Sequence, residues 1–290
     1  MSRLVEAGRR VARRAGRGYI VGPRLEDALT VAAAIDRPVT LGFWDAPGAD
    51  SSDVAQAYID TVAALATMPF DGYISVKLPS FHSDPGAVGR VATAAHAADV
   101  LLHFDSLAED AAAETIELAL RLAKSGSRVG ATVPGAWSRS VADACALTAA
   151  GVRIRIVKGQ WPGDREPRAG FLDIVDAIQA AGSPIALATH DASLAREALQ
   201  RAAGCPAELE LLYGLPLDAP ASVAADHGVP MRIYLPFGRG YVPYALSQIY
   251  RRPVILWWLA RDAALGRHSM ALTNSRRGPS HRTPQSAGTR

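Results

Sequence analysis

The chain has 290 residues, of which 49% are hydrophobic, so it is long enough to bury a substantial core in one large domain. Its net charge of +3 comes from the two ends. Residues 1–18 hold six arginines and one glutamate and residues 264–290 hold five arginines and no acid, which leaves 20 bases against 27 acids between them. An acidic central region argues against a nucleic-acid-binding role.

The sequence shows no signal for a membrane or for secretion. No apolar run is long enough to span a bilayer, and the N-terminus lacks the apolar stretch of a secretory signal. The only cysteines, Cys145 and Cys205, exclude a disulfide framework and fit a reducing compartment. We therefore predict a cytoplasmic protein with no membrane span.

Short strand-like runs and segments with helical spacing alternate along the chain. The strand-like runs are 38–44, 72–78, 99–105, 128–134, 152–159, 184–190, 208–214 and 231–237. The helical segments are 51–67, 84–97, 106–124, 138–150, 166–181, 191–203, 217–227 and 241–262. The expected helix-capping residues include Ser51, Ser52, Asp84, Ser106 and Asp191.

This alternation predicts an α/β protein with a parallel sheet, and the eight repeats match a (β/α)8 TIM-like barrel. The alternative is an open doubly wound sheet, but the glycine-rich phosphate loop that usually follows its first strand does not occur here. We predict a single barrel domain over residues 19–263. A short arginine-rich helix is expected within residues 1–18, and a disordered basic tail is expected over residues 264–290.

Polar and charged side chains stand near the carboxyl ends of the predicted strands, where barrel enzymes place their active sites. They include Lys77, Asp105, Arg155, Lys158, Trp161, Thr189, His190, Asp191, Glu210, Tyr213 and Tyr234. Because cations at a barrel mouth need partners, we expect an anionic ligand. Structural alternatives stay open for these residues: Lys77 and Asp105 could form a structural ion pair, and Arg155 could extend to solvent instead of facing a ligand. His190 could be a structural histidine, and Trp161 and Tyr213 could serve only in packing. The scattered histidines predict no metal site.

Five strings in the chain carry a resemblance to a known family. They are SVKL (75–78), RIVKG (155–159), ATH (188–190), ELLYG (210–214) and RIYLPFGRGYVPYALSQIYRRP (232–253). In this order and on these strands they resemble the flavin-dependent proline dehydrogenase family. The resemblance extends from about residue 20 to residue 262.

The resemblance implies a distorted (β/α)8 barrel that holds FAD at its mouth and oxidises a C–N bond of an amino acid. It places Arg155 beside the reactive nitrogen edge of the flavin, in a role that is both catalytic and cofactor-binding. The other residues that it places at the cofactor are Lys158, Gly159, Trp161, Thr189, His190, Asp191, Glu210 and Tyr213. The residues that it places around the substrate, with catalytic roles, are Lys77, Asp105, Tyr234 and Tyr244.

The last predicted helix departs from the family pattern. In the family, the last helix carries a tyrosine, and two adjacent arginines follow it three and four residues later. These arginines bind the proline carboxylate as a clamp. A glutamate then precedes an Arg-Pro pair. We align this chain with the family pattern on Tyr244 and on the Arg-Pro pair at 252–253. The two clamp positions then hold Ser247 and Gln248, and the glutamate position holds Arg251. Loss of a charged partner in a dry pocket costs on the order of 2–5 kcal/mol. This departure from the family pattern implies a substrate other than ordinary proline, bound by Ser247, Gln248 and Arg251. The alternative for Arg251 is an ion pair with Asp105 or Asp45 and no role in binding.

Three further departures concern the cofactor. Gly135 stands near where the family usually has glutamine, Pro162 stands where it often has tryptophan, and Glu210 stands where it usually has glutamine.

Four functional hypotheses follow. The favoured one is an FAD-dependent oxidoreductase of specialised metabolism that acts on a C–N or N–N bond of a small amino-acid-like substrate. The second is a true proline dehydrogenase that uses Arg251 for the carboxylate. The third is a degenerate, non-catalytic barrel, and the fourth is a flavin-free lyase with Lys77 or Lys158 as the Schiff-base amine. The electron acceptor is unknown, and homo-oligomerisation is compatible with the sequence.

Overall fold

The computed structural model describes residues 21–35, 37–106, 109–159 and 162–240. Within these ranges the strands are β1 (Val39–Phe43), β2 (Gly72–Val76), β3 (Leu102–Phe104), β4 (Val129–Pro134), β5 (Arg153–Val157), β6 (Ile185–Ala188), β7 (Ala207–Leu212) and β8 (Met231–Phe237). The helices are α1 (Leu25–Ile35), α2 (Ser51–Leu65), α3 (Pro85–Ala97), α4 (Ala112–Lys124), α5 (Ser140–Ala149), α6 (Pro167–Ala180), α7 (Ala192–Arg201) and α8 (Asp218–Asp226). Short 3-10 turns lie at Leu78–Phe81 and Glu109–Ala111.

The strands form a closed parallel barrel whose order follows the chain from β1 to β8. β8 closes the barrel against β1, with Val39 opposite Ile233 and Phe43 opposite Phe237. The predicted (β/α)8 barrel is thereby confirmed. The open-sheet alternative is wrong, because an open sheet would leave β1 and β8 as unpaired edges.

Each predicted strand overlaps an observed one, and the predicted helices that fall within the described ranges are present. Helix α4 begins later than expected, because the 3-10 turn Glu109–Ala111 precedes it. Helix α1 is present in the structure but was not predicted from the sequence. Acidic residues in the first turn often mark the start of a helix, and Glu26 and Asp27 occupy that turn here. None of the described helices is long and apolar enough to cross a membrane. The predicted helix 241–262 and both terminal segments lie outside the described residues.

Carboxylates cap the helices more often than the sequence pattern predicts. Asp84 and Asp191 cap α3 and α7 as expected. The expected serine caps are wrong: Asp50 caps α2 and accepts the Ser52 N–H at 2.7 Å, and no helix begins at Ser106. Each cap of this kind stabilises its helix by about 1 kcal/mol.

The main apolar core lies between the barrel and the helices. Side chains alternate along a strand, so Ile154 and Ile156 of β5 face the helices while Arg153 and Arg155 face the barrel interior. The largest aromatic side chains in this fully buried core are Tyr58, Phe81, Phe104 and Phe171. Burial of one such side chain contributes about 1.5–3 kcal/mol. The outer shell therefore stabilises the barrel and leaves its interior available for polar groups.

Candidate active site

The interior of the barrel is polar, although branched apolar side chains usually fill such an interior. The polar side chains that meet there are Thr40, Tyr73, Ser75, His103, Thr132, Arg153, Arg155, Glu208, Glu210, Arg232 and Tyr234. They form an upper layer around Arg155, towards the carboxyl ends of the strands, and a lower layer around Arg153 and Arg232.

Arg155 is the centre of the upper layer. Its Nε donates to Thr132 Oγ1 at 3.0 Å, and its Nη2 donates to Ser75 Oγ at 3.0 Å and to the Asp105 carboxylate. Its Nη1 donates to Glu210 Oε1 at 2.8 Å. A guanidinium has five N–H donors. The described residues therefore leave one Nη1 hydrogen of this buried side chain available for a further acceptor.

Asp105 joins Arg155 to two other residues at the barrel mouth. Lys77 Nζ lies 3.6 Å from Asp105 Oδ2, and the Tyr234 hydroxyl donates to the same oxygen at 3.3 Å. The Lys77 amine also donates to the Phe43 carbonyl at 3.2 Å. Gly42 makes room for Tyr234, because a Cβ at Gly42 would lie 2.0 Å from the tyrosine oxygen. The structure thus brings together four predicted site residues from four different strands.

The protonation states of this cluster follow from burial and charge. Burial lowers the pKa of the Lys77 amine, and the Asp105 charge opposes that shift without cancelling it. Burial and the Asp105 charge raise the pKa of the Tyr234 hydroxyl well above its ordinary value. Tyr234 is therefore a protonated hydrogen-bond donor at neutral pH.

Glu210 supports Arg155 from the neighbouring side of the barrel. Its Oε1 accepts hydrogen bonds from Arg155 and, at 2.9 Å, from Thr40, and its Oε2 accepts one from the Tyr73 hydroxyl at 2.6 Å. Burial opposes its ionisation, but the charges of Arg155 and Arg153 outweigh burial and lower the pKa of the Glu210 carboxyl to about 2. Glu210 is therefore a buried carboxylate at any ordinary pH.

The lower layer repeats this pairing one step deeper in the barrel. Arg153 contacts Glu208 and donates to the Tyr73 hydroxyl at 3.0 Å. Arg232 donates to Glu208 at 2.9 Å and contacts Asp71 at the bottom of the barrel. Our sequence analysis did not identify this layer. The sequence does carry a signal for it, because Arg153 and Arg155, and likewise Glu208 and Glu210, stand two residues apart and so share one face of their strand.

The barrel interior balances its own charge. The cations are Lys77, Arg153, Arg155 and Arg232, and the carboxylates that pair with them are Asp71, Asp105, Glu208 and Glu210. Within the described ranges these four cations already have carboxylate partners, so their charge alone requires no anionic ligand, and the anionic ligand stays a prediction. The structural ion pair between Lys77 and Asp105, kept open as an alternative, is present.

The rim of the barrel beside β5 and β6 is more exposed. The Lys158 side chain is 44% exposed and lies 3.4 Å from Asp191 Oδ2. Asp191 also caps α7 and lies 3.6 Å from Arg168. Gly159 follows with a φ of +100°, a left-handed conformation that favours glycine. Thr189 is buried beside this rim and accepts the Asp191 N–H at 3.2 Å.

His190 has backbone partners on both ring nitrogens. The Leu212 N–H donates to Nε2 at 2.9 Å, so Nδ1 carries the proton and donates to the Pro216 carbonyl at 3.1 Å. Burial lowers the pKa of the His190 imidazole. This neutral ring joins the end of β6 to the chain that follows β7, as the structural alternative proposed. Its contact with a cofactor stays a prediction, as does that of the buried Tyr213.

The donor set at the mouth fits a flavin nucleotide. One Arg155 N–H can meet a heteroaromatic acceptor, and the exposed Lys158 amine can meet phosphate oxygens. Gly135, where the family usually has glutamine, contacts α6 closely: a Cβ there would lie 2.4 Å from the Phe171 amide nitrogen. Packing of the helix on β4 therefore accounts for this glycine. The Pro162 carbonyl accepts a hydrogen bond from the Trp137 indole at 3.4 Å.

Five predicted site residues cannot be compared with the structure. Trp161, Tyr244, Ser247, Gln248 and Arg251 lie outside the described residues. Within the described ranges, no group of three or more His, Cys, Asp or Glu side chains could hold a metal ion.

No family model matches the chain. It is 22% identical over 262 residues to proline dehydrogenase 1 of Bacillus subtilis subsp. natto, covering 82% of this chain and 86% of that protein. It is 24% identical over 266 residues to proline dehydrogenase of Deinococcus radiodurans, covering 81% of this chain and 85% of that protein.

Solved structures show a similar fold. Proline utilization A (PutA) from Bdellovibrio bacteriovorus, inactivated by N-propargylglycine, has a TM-score of 0.69 at 17% identity and matches 92% of this chain. PutA from Corynebacterium freiburgense has a TM-score of 0.61 at 16% identity. The chain spans 36% and 35% of these two proteins, about a third of their length.

The protein is therefore a (β/α)8 barrel with an ionised interior and a cluster of Lys77, Asp105, Arg155 and Tyr234 at its mouth. Sequence matches that cover 81–82% of this chain and 85–86% of the relatives show that it resembles proline dehydrogenases, at 22–24% identity. The resemblance predicted from the sequence is thereby confirmed.

Proposed function

We propose that this protein is an FAD-dependent dehydrogenase of the proline dehydrogenase family that acts on a small amino-acid-like substrate other than ordinary proline. The observation that carries the proposal is the cluster of Lys77, Asp105, Arg155 and Tyr234, which come from four strands and meet at the mouth of the barrel. The relatives that match over most of their length are named proline dehydrogenases, which supports a CH–NH donor as the substrate class.

In this proposal FAD, when bound, supplies the two-electron oxidation as a hydride acceptor. The substrate would give up a hydride from carbon to this acceptor and a proton from nitrogen to solvent, and its C–N bond would become C=N. Arg155 would help hold the cofactor through its remaining Nη1 hydrogen, and Asp105 and Glu210 hold the guanidinium in place. Lys158 supplies a cation for the phosphates, and Gly159 lets the backbone approach them.

Two observations support a substrate other than proline. Ser247 and Gln248 replace the arginine pair with which the family clamps the proline carboxylate. At the mouth, Lys77 and Arg155 both pair with Asp105, so neither is a surplus cation for a substrate carboxylate. We therefore propose amines or hydrazines that lack the carboxylate geometry of proline. A cytoplasmic location and homo-oligomerisation stay predictions.

The names of the relatives favour a second candidate, a true proline dehydrogenase. In that case Arg251, on the same predicted helix face as Ser247 and Gln248, binds the carboxylate. This candidate requires no charge from the residues that line the interior of the barrel.

The visible spectrum of the purified protein, reconstituted with FAD and titrated anaerobically with proline, tests both candidates. Flavin bands that proline leaves unchanged, and that another amine or hydrazine bleaches, support the proposal. Flavin bands that bleach on proline support the second candidate. A protein without flavin bands after reconstitution refutes both candidate functions and leaves two hypotheses, the non-catalytic barrel and the Schiff-base lyase. Borohydride trapping at Lys77 or Lys158 then separates those two.

A further inference from the structure

Glu210 contacts Arg155, the residue that the proposed function places beside the flavin. We propose that Glu210 is a positioning residue that fixes the Arg155 guanidinium, offsets its charge and thereby lowers the reduction potential of the bound flavin. This inference rests on the proposed function and extends it, because the family usually has an uncharged glutamine at this position.

The position of Glu210 makes its charge effective. Its side chain is 2% exposed, so water screens it little. One oxygen accepts from Arg155 at 2.8 Å and from Thr40 at 2.9 Å, and the other accepts from Tyr73 at 2.6 Å. The carboxylate is therefore held in one orientation directly against Nη1, the nitrogen whose second hydrogen has no acceptor within the described part of the chain.

Two carboxylates surround one guanidinium in this arrangement. Asp105 contacts Nη2 and Glu210 contacts Nη1. An arginine beside a flavin favours reduction, because the reduced ring that has taken up two electrons and one proton carries a negative charge. Each carboxylate against Arg155 offsets that effect. Glu210 should therefore make the flavin a weaker oxidant than a glutamine at the same position would.

The test compares two glutamates on the same strand. Glu210→Gln keeps the size of the side chain and removes its charge, while Arg155 retains Thr132, Ser75 and Asp105 as acceptors. Glu208→Gln is the matched control, because Glu208 contacts Arg153 and Arg232 in the lower layer.

The flavin potential of each FAD-reconstituted full-length variant is measured by equilibration with a reference dye. We expect the potential to rise in Glu210→Gln and to stay at the wild-type value in Glu208→Gln, although both variants lose stability. An unchanged potential in Glu210→Gln, or an equal rise in both variants, would overturn the inference, because a purely structural role would not shift the potential selectively.

A second variant decides the question if Glu210→Gln does not fold. Tyr73→Phe removes a hydrogen-bond donor from Glu210 and keeps its negative charge, so the potential should fall. A potential that stays the same or rises would contradict the inference. A wild-type protein that takes up no FAD refutes the proposed function itself, whereas a loaded wild type with an unresponsive Glu210→Gln variant refutes this inference alone.

Discussion

Lys77 and Asp105 form an ion pair, yet the two residues should contribute unequally to stability. Lys77 Nζ is 3.6 Å from Asp105, a long contact, and burial disfavours its charged form. Asp105 contacts Arg155 as well, so it retains a partner when Lys77 is removed. Lys77→Met keeps the shape of the side chain and should change the free energy of unfolding by less than about 1.5 kcal/mol.

Asp105→Asn has a different physical consequence. It leaves the buried charge of Lys77 without its carboxylate and removes one of two anions from Arg155. Breaking a buried pair in this way typically costs about 3–5 kcal/mol. Equilibrium urea unfolding of both variants, followed by circular dichroism, measures the difference. A Lys77→Met protein that is destabilised as much as Asp105→Asn would refute this reading of the cluster.

The pH dependence provides an independent check on Lys77. Its pKa is lowered in the folded state by burial, from an ordinary value of 10.5, so the unfolded chain binds more protons in the window between the two values. Stability therefore rises with pH through that window, and Lys77→Met should lose this rise. Subtracting the free energy of unfolding of the variant from that of the wild type at each pH removes the contribution of the buried tyrosines. A difference that is flat with pH would contradict the lowered pKa.

Two further predictions test helix packing and the missing clamp. Gly170→Ala should lower the free energy of unfolding by about 1–3 kcal/mol, because the new Cβ would lie 1.9 Å from the Gly135 carbonyl oxygen. The control is Gly89→Ala on α3, where the new Cβ meets open space, and it should raise the free energy of unfolding by about 0.4–1 kcal/mol. Equal effects of the two substitutions in urea unfolding would argue against the close packing at Gly170. The double variant Ser247→Arg with Gln248→Arg should gain bleaching of the flavin by proline. Replacement of both residues by alanine is the control, and no gain in a folded, flavin-loaded double arginine variant would count against their assignment to the clamp.

The fold could be predicted from the sequence because each strand and helix carries a local signal. Strand-like runs such as 184–190 are short and mostly apolar, and the segments between them have helical spacing. The bounds were less accurate where local rules compete. The segment 106–124 is an example, because helix α4 begins only at Ala112, after the 3-10 turn Glu109–Ala111.

The site could be predicted only in part. The ends of predicted strands identified Lys77, Asp105 and Arg155, since a parallel barrel brings all these ends to one face. The partners could not be predicted in the same way. The contact between Arg155 and Glu210 joins residues 55 apart and depends on the stagger of the closed barrel. The backbone carbonyl of Pro216 that accepts from His190 belongs to a connection with no sequence signal for this contact.

The balance of charge inside the barrel limits where substrate specificity can be set. A substrate carboxylate would add a negative charge to a mouth in which Lys77 and Arg155 already have carboxylate partners. A buried charge without a partner is strongly disfavoured, so a further cation would have to come from outside the barrel interior. The predicted last helix is the part of the sequence that can supply it, and at its clamp positions it carries Ser247 and Gln248. Specificity should therefore change with substitutions at these two positions, whereas substitutions inside the barrel should change stability and, at Glu210, the flavin potential.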